Sequence, residues 1–222
     1  AESNSLRPLA KMIGHDYKTY EHATKVLWFT VAFLRSNPDI LAQIVPDIES
    51  YHEVQKKELL KQCGVGAMLH DIGKTFVSPE ILNKNGPLNA VEWEIIKRHP
   101  LTSFAMLADT ETPAFVKKAI LQHHEDYNGE GYPMGLKGKN INVLARVLRI
   151  VDVFDAMTSR RPYKEAFSPM EAARIMVGTP EKGDASPNGD GRDPRDLGMK
   201  KCFDEKLLRK FIVFLGKVSS QM

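Results

Sequence analysis

VLWFTVAFLRSNP (26–38) is the stretch on which the fold turns, because Val26, Phe29, Thr30, Phe33 and Leu34 fall on one face of a helix. The pattern stops at Asn37-Pro38, where local chemistry forces it to: a residue before proline avoids the α region. Outward from there the apolar spacing stays helical. It predicts further helices at about 47–62, 64–71, 89–98, 101–109, 113–124, 142–158, 169–177 and 204–216. Asn89 suits an N-cap before Ala90-Val91-Glu92, and Pro113 suits a first helical turn. No alternating run is long enough to defend a strand. The predicted class is all-α, a helical bundle.

Bulk properties set the frame for that bundle. A chain of 222 residues buries one sizeable core more naturally than two small ones. Apolar content of 42% and charged content of 27% are those of a globular protein. A net charge of +3, scattered along the chain, argues against a nucleic acid polymer or a membrane surface as partner. The longest apolar stretch, Val26 to Leu34, is far short of a membrane span. Cys63 and Cys202 make neither a disulfide framework nor a paired metal-ligand spacing, which makes a reducing cytosol the expected compartment.

Two stretches break the helical pattern. Residues 126–140 hold four glycines and a proline and read as a shaped loop. Residues 178–199, rich in Gly, Pro and Asp, read as a mobile surface insertion. Within it Asp184 to Asp190 looks like a calcium loop, but Arg195 stands where a bidentate Glu is required, which argues against calcium.

The chemistry lies in histidines and acids. His70 and Asp71 are adjacent at the end of a short apolar helix, and Asp71 offers two oxygens that can bridge two metal ions about 3.5–4 Å apart. By itself such a dipeptide equally describes a solvated helix end. His123-His124 is a vicinal pair ending another helix, His22 lies mid-helix, and His99 precedes Pro100. Singly, these fit a satisfied core histidine or a helix-ending surface residue. Asp152 lies in the apolar segment Arg149-Ile150-Val151-Asp152-Val153-Phe154, where burying a carboxylate is costly without a compensating cation, be it a salt-bridge partner or a metal. His15 and His52 fall outside the set. Met106, Met157, Met170 and Met176 recur with apolar neighbours and read as core filler.

In this order His22, His70-Asp71 and Asp152 resemble the HD superfamily of metal-dependent phosphohydrolases. Longer stretches are similar to its HD-GYP branch, which hydrolyses the bacterial second messenger cyclic di-GMP: HDIGK (70–74), PEILNKNGPL (79–88), EWEIIKRHP (92–100), HHEDYNGEGYPMGLKG (123–138) and RVLRIVDVFDAMTSRRPYK (146–164). With TYEHATKV (19–26), the likeness covers roughly residues 15–175 and a final helix from about Phe203.

The resemblance implies a helical bundle of the HD-domain type. It implies one metal held by His22, His70, Asp71 and Asp152, and a second held by Asp71 as bridge with His99, His123 and His124. Iron or manganese suits imidazole and carboxylate ligands without thiolate, and zinc shares them. Some relatives carry a glutamate four residues before the first histidine that helps hold a third metal; Lys18 stands there, so two metals are expected.

The implied reaction is attack on phosphorus by a hydroxide held between the cations, giving linear pGpG, with pGpG or GMP as the final product left open. Lys74 is expected to address the scissile phosphate, and Arg161 and Lys164 the substrate's phosphate or guanine. Asp155 is expected to orient a ligand or pair with a basic group, and Arg160 to be a surface residue. Tyr132, in Gly131-Tyr132-Pro133, is a candidate substrate contact, on a loop implied also to touch diguanylate cyclase partners. A homodimer is among the assemblies the resemblance leaves open, as is a cytoplasmic bacterial location within a larger sensor protein. Cyclic GMP-AMP as substrate, or a receptor that binds without hydrolysis, are the competing readings.

Overall fold

The computed structural model describes residues 10–45, 50–159, 166–178 and 199–219. Every regular element among them is helical. α1 (Tyr17–Ser36) starts where the Asp16 carboxylate accepts from the Thr19 amide at 3.1 Å. It buries Ala23, Val26, Thr30, Phe33 and Leu34 on one face, as its spacing predicts. Asn37 ends it, and Pro38 opens the short α2 (Pro38–Ile44), a helix the apolar pattern had not suggested.

α3 (Glu53–Leu69) joins what the sequence suggested as two helices. Its glycines face partners instead of breaking it. A Cβ on Gly64 would lie 3.0 Å from Val31 of α1, and one on Gly66 would lie 3.0 Å from Val116. Bare backbone at these points lets neighbouring helices come close. His70 ends α3, and a 3-10 turn, Ile72–Phe76, follows Asp71.

α4 (Pro79–Leu82) is a single turn, and α5 (Ala90–Lys97) has the expected Asn89 cap, a capping box with Glu92. α6 (His99–Met106) begins at His99 itself, so this histidine opens one helix while following another. α7 (Ala114–Gln122) has Pro113 one position outside it, as N-cap. α8 (Val143–Thr158) is the central helix: Leu144, Val147, Leu148, Ile150, Val151 and Phe154 are buried along it, and it packs on α1, α2, α7, α9 (Pro169–Val177) and α10 (Glu205–Ser219). From α10, Phe211 lies edge-on to Phe33 and Phe154, each at 5.3 Å.

Met157 and Met176 sit in the core and Met106 packs against a smaller cluster, but Met170 is 66% exposed. It sits in the first turn of α9, whose buried face is Ala172, Ala173 and Met176, so helical spacing alone misplaced it. The insertion expected at 178–199 lies, apart from its two end residues, outside the described residues. No helix among the described residues is long and apolar enough to cross a membrane.

Candidate metal centre

Each of the seven candidate ligands stands at or near a helix end that faces one interior point, except His22 and Asp152, which project from the middle of α1 and α8. His70 and Asp71 follow α3, His99 opens α6, and His123 and His124 follow α7. The ligand atoms fall into two groups, Asp71 with His99, His123 and His124, and His22 with His70 and Asp152, each within 4.8 Å.

Asp71 faces both groups, one oxygen to each. Its Oδ1 lies 3.0 Å from His99 Nε2 and 3.7 Å from His123 Nε2. Its Oδ2 lies 3.4 Å from His70 Nε2 and 3.7 Å from His22 Nε2. Asp152 repeats the arrangement more loosely, with Oδ1 3.0 Å from His22 Nε2 and Oδ2 3.9 Å from His124 Nδ1.

The imidazoles are turned inward by their own backbone. His70, His99 and His123 each place Nδ1 on the carbonyl three residues back, at 2.6, 2.8 and 2.6 Å. A carbonyl only accepts, so each Nδ1 carries the proton and each Nε2 presents a lone pair to the centre. His99 Nε2 and His123 Nε2 then face each other at 3.1 Å. His70 Nε2 and Asp71 Oδ1 are buried without a hydrogen-bond partner among the described residues. Lone pairs and carboxylate oxygens crowded this way repel one another unless a cation lies among them. The donor set fits divalent metal.

Protonation agrees. Burial holds His99 and His123 below the ordinary histidine value despite the pull of Asp71, His123 at about 4. Burial and the neighbouring histidines hold His124 well below it. Burial opposes charge on the acids, yet Lys74 keeps Asp71, and His22 keeps Asp152, well below the usual carboxylate range. Neutral imidazoles and ionised carboxylates are the forms that bind metal. His22 differs: burial disfavours its charge, but Asp152 and Asp155 outweigh this and raise it to about 9. Its Nδ1 lies 2.6 Å from Asp155, the residue expected to orient a ligand or pair with a basic group.

Lys74, on the 3-10 turn, donates to Asp71 Oδ2 at 2.6 Å and keeps 23% of its side chain exposed. Tyr132 stacks on His124, ring centres 4.8 Å apart, so it walls the cluster. Arg161 and Lys164 lie outside the described residues, as does Arg160. Lys18 reaches Asn83 at the surface, 3.3 Å away.

Four supporting residues are not singled out by the sequence reading. Ser103 accepts from the Gly73 amide at 2.8 Å and donates to the His70 carbonyl at 2.9 Å, fastening α6 to the His70-Asp71 turn. Gly73 is required beside it, since a Cβ would strike the His99 carbonyl and the Ser103 amide. Glu125, buried, accepts from the Met134 and Leu136 amides at 2.7 and 2.8 Å and so shapes the Gly131-Tyr132-Pro133 loop from within. Arg149 pairs with Asp126 at 2.8 Å, beside Asp152. Only proximity to His124 and Asp152 marked these last two in the sequence.

An all-α bundle that draws imidazoles and carboxylates from five helices (α1, α3, α6, α7, α8) to one point defines a class of helical proteins built around divalent metal. Residues 25–185 match the HD domain family, and the chain belongs to it, in the HD-GYP branch. It is 37% identical over 175 residues to a cyclic di-GMP phosphodiesterase of Pseudomonas aeruginosa, covering 78% of this chain and 38% of that protein. It is 42% identical over 111 residues to the cyclic di-GMP phosphodiesterase response regulator RpfG of Xanthomonas campestris, covering 49% of this chain and 29% of that one. A 3'3'-cGAMP-specific phosphodiesterase of Vibrio cholerae is 39% identical over 119 residues, 54% of this chain and 28% of the relative. The chain thus spans well under half the length of these relatives. Among solved structures, an HDGYP protein of Bdellovibrio bacteriovorus superposes with TM-score 0.61 at 19% identity, over 89% of this chain and 52% of that one, a likeness of fold.

Proposed function

We propose that this domain is a metal-dependent phosphodiesterase that opens cyclic di-GMP to linear pGpG. The observation that carries it is Asp71, one carboxylate with one oxygen in each ligand group. His22, His70, Asp71 and Asp152 would hold one cation, and Asp71, His99, His123 and His124 a second, with iron or manganese the best match to a thiolate-free set. Bound there, divalent cations supply Lewis-acid charge that activates water and offsets the charge growing on phosphorus.

The chain's own groups do the rest. The Nδ1 tethers of His70, His99 and His123 fix their rings so that nothing need reorganise when substrate arrives. Lys74 holds its ammonium at the Asp71 edge, part exposed, where it can meet a non-bridging phosphate oxygen and pass a proton from Nζ to the departing sugar oxygen. Tyr132 over His124 keeps bulk water from that flank. Arg161 and Lys164 complete the substrate contacts in this reading. Cyclic GMP-AMP is the second reading, favoured by the similarity to the Vibrio cholerae enzymes specific for it.

Elemental analysis of anaerobically purified protein, run beside cleavage assays on both cyclic dinucleotides, tests this. Two metal ions per chain and release of pGpG from cyclic di-GMP are expected. Asp71→Ala should lose both the metal content and at least about a hundredfold in rate, as a lost ligand and its neighbours' orientation cost on that order. Near-normal turnover in that variant overturns the assignment. Faster opening of cyclic GMP-AMP moves the substrate to the second reading.

A further inference from the structure

Arg149 is a charged group at the site that the mechanism above does not use. It lies one helical turn before Asp152 on α8, so the two side chains share a face. Its Nε donates to Asp126 Oδ1 at 2.8 Å, and its Nη2 lies 2.8 Å from the same oxygen. Asp126 lies two residues beyond His124, and the backbone around it is fixed. The Tyr127 amide donates to the Cys202 carbonyl at 2.8 Å, and Gly131 fits against Asp126 only because it lacks a Cβ.

The pair does not consume the guanidinium. Nε and Nη2 both lie against one oxygen, and Nη1 has no hydrogen-bond partner among the described residues. The side chain keeps 21% of its surface exposed. Its charge is felt by His124 and by Tyr132, the stacked pair that walls the cluster, as well as drawing on Asp152. A purely structural brace would need no such placement. A phosphate seated between His124 and Asp152 would feel the same positive charge, and arginine's fork suits a phosphate's paired oxygens.

We propose that Arg149 is a substrate-binding residue whose free guanidinium edge grips a phosphate of the cyclic dinucleotide, directed by Asp126. It approaches from the α8 wall, while Lys74 approaches from the turn after α3. This rests on the phosphodiesterase reading.

The test is a pair of variants, Arg149→Gln and the double variant Arg149→Gln with Asp126→Asn, each checked for folding by circular dichroism and for metal per chain. Loss of one charge-assisted contact should raise KM for cyclic di-GMP about tenfold or more. The value of kcat should stay within about threefold, and metal content should not change. If Arg149 serves only to neutralise Asp126, removing both charges together restores KM. If it grips phosphate, the double variant stays as weak as the single one, and Arg149→Lys recovers part of the loss. Restoration by the double variant overturns the proposal, as does an unchanged KM in Arg149→Gln. Wild-type protein that cleaves no cyclic dinucleotide fails at the earlier step, and takes both the functional reading and this assignment with it.

Discussion

Among the proposed ligands, His22 is the one whose ordinary state works against metal. Its ring lies between Asp155 at 2.6 Å and Asp152 at 3.0 Å, and although burial opposes charge, these acids raise it to about 9. A cation taking Nε2 must displace a proton, so binding in that group should strengthen as pH rises toward about 9. Stability of the chelated protein should move the other way. A group whose folded value is raised binds its proton more tightly in the folded state, so its contribution is whole below about 6.5 and is lost as pH rises through about 9. The melting temperature under chelator is therefore expected to fall between pH 6.5 and 9, and His22→Asn should flatten that fall. A chelated wild-type protein whose melting temperature is level across the window would remove the charged His22 from the account.

At the scale of elements, what matters is how the turn after α3 is clamped. Ser103 bridges the Gly73 amide and the His70 carbonyl, so one hydroxyl from α6 fixes the turn that carries His70, Asp71 and Lys74. Ser103→Ala leaves the buried Gly73 amide unpaired, a loss of about 1–3 kcal/mol. Denaturant unfolding should register that loss, with kcat down severalfold as Asp71 gains freedom. Ser103→Thr, which keeps the hydroxyl, should recover part of it. Unchanged stability in Ser103→Ala would mean the clamp does not matter. Nothing in the sequence distinguishes Ser103 from any other helical serine, because its value lies in a turn thirty residues away. The residues that converge at the centre were legible for the opposite reason. Asp152 stands out as an acid in an apolar segment, and His123-His124 as a polar pair at a helix end, so their own neighbours expose them. Long amphipathic helices such as α1 and α8 were likewise readable from spacing alone. Gly64 and Gly66 misled, since glycine suggests a break where the helix continues and the missing Cβ serves packing against Val31 and Val116. α2 and α4 are too short for periodicity to register.

For the whole molecule, the centre is a fastening as much as a reactive site. The proposed ligands span positions 22 to 152, and the helices bearing them, α1, α3, α6, α7 and α8, make up most of the bundle. Without a cation, the facing Nε2 atoms of His99 and His123 and the unpartnered Asp71 Oδ1 set these helices against one another. The unfolded chain has no such preformed pocket, so metal binds the folded form and stabilises it by mass action. At a free concentration a hundred times the dissociation constant, that is about 2.7 kcal/mol per independent site. For a domain of this size each kcal/mol moves the melting temperature by about 2–4 °C, so manganese titrated into chelated protein should raise it by roughly 5–10 °C for each site filled. Asp71→Ala, which touches both groups, should erase nearly the whole rise, whereas His124→Ala should leave the part due to the His22 group. That asymmetry matters more than the size of the shift. If manganese raised the melting temperature of Asp71→Ala as far as that of the wild type, the cation would be binding elsewhere. A single carboxylate would then not be what joins the two halves of the bundle.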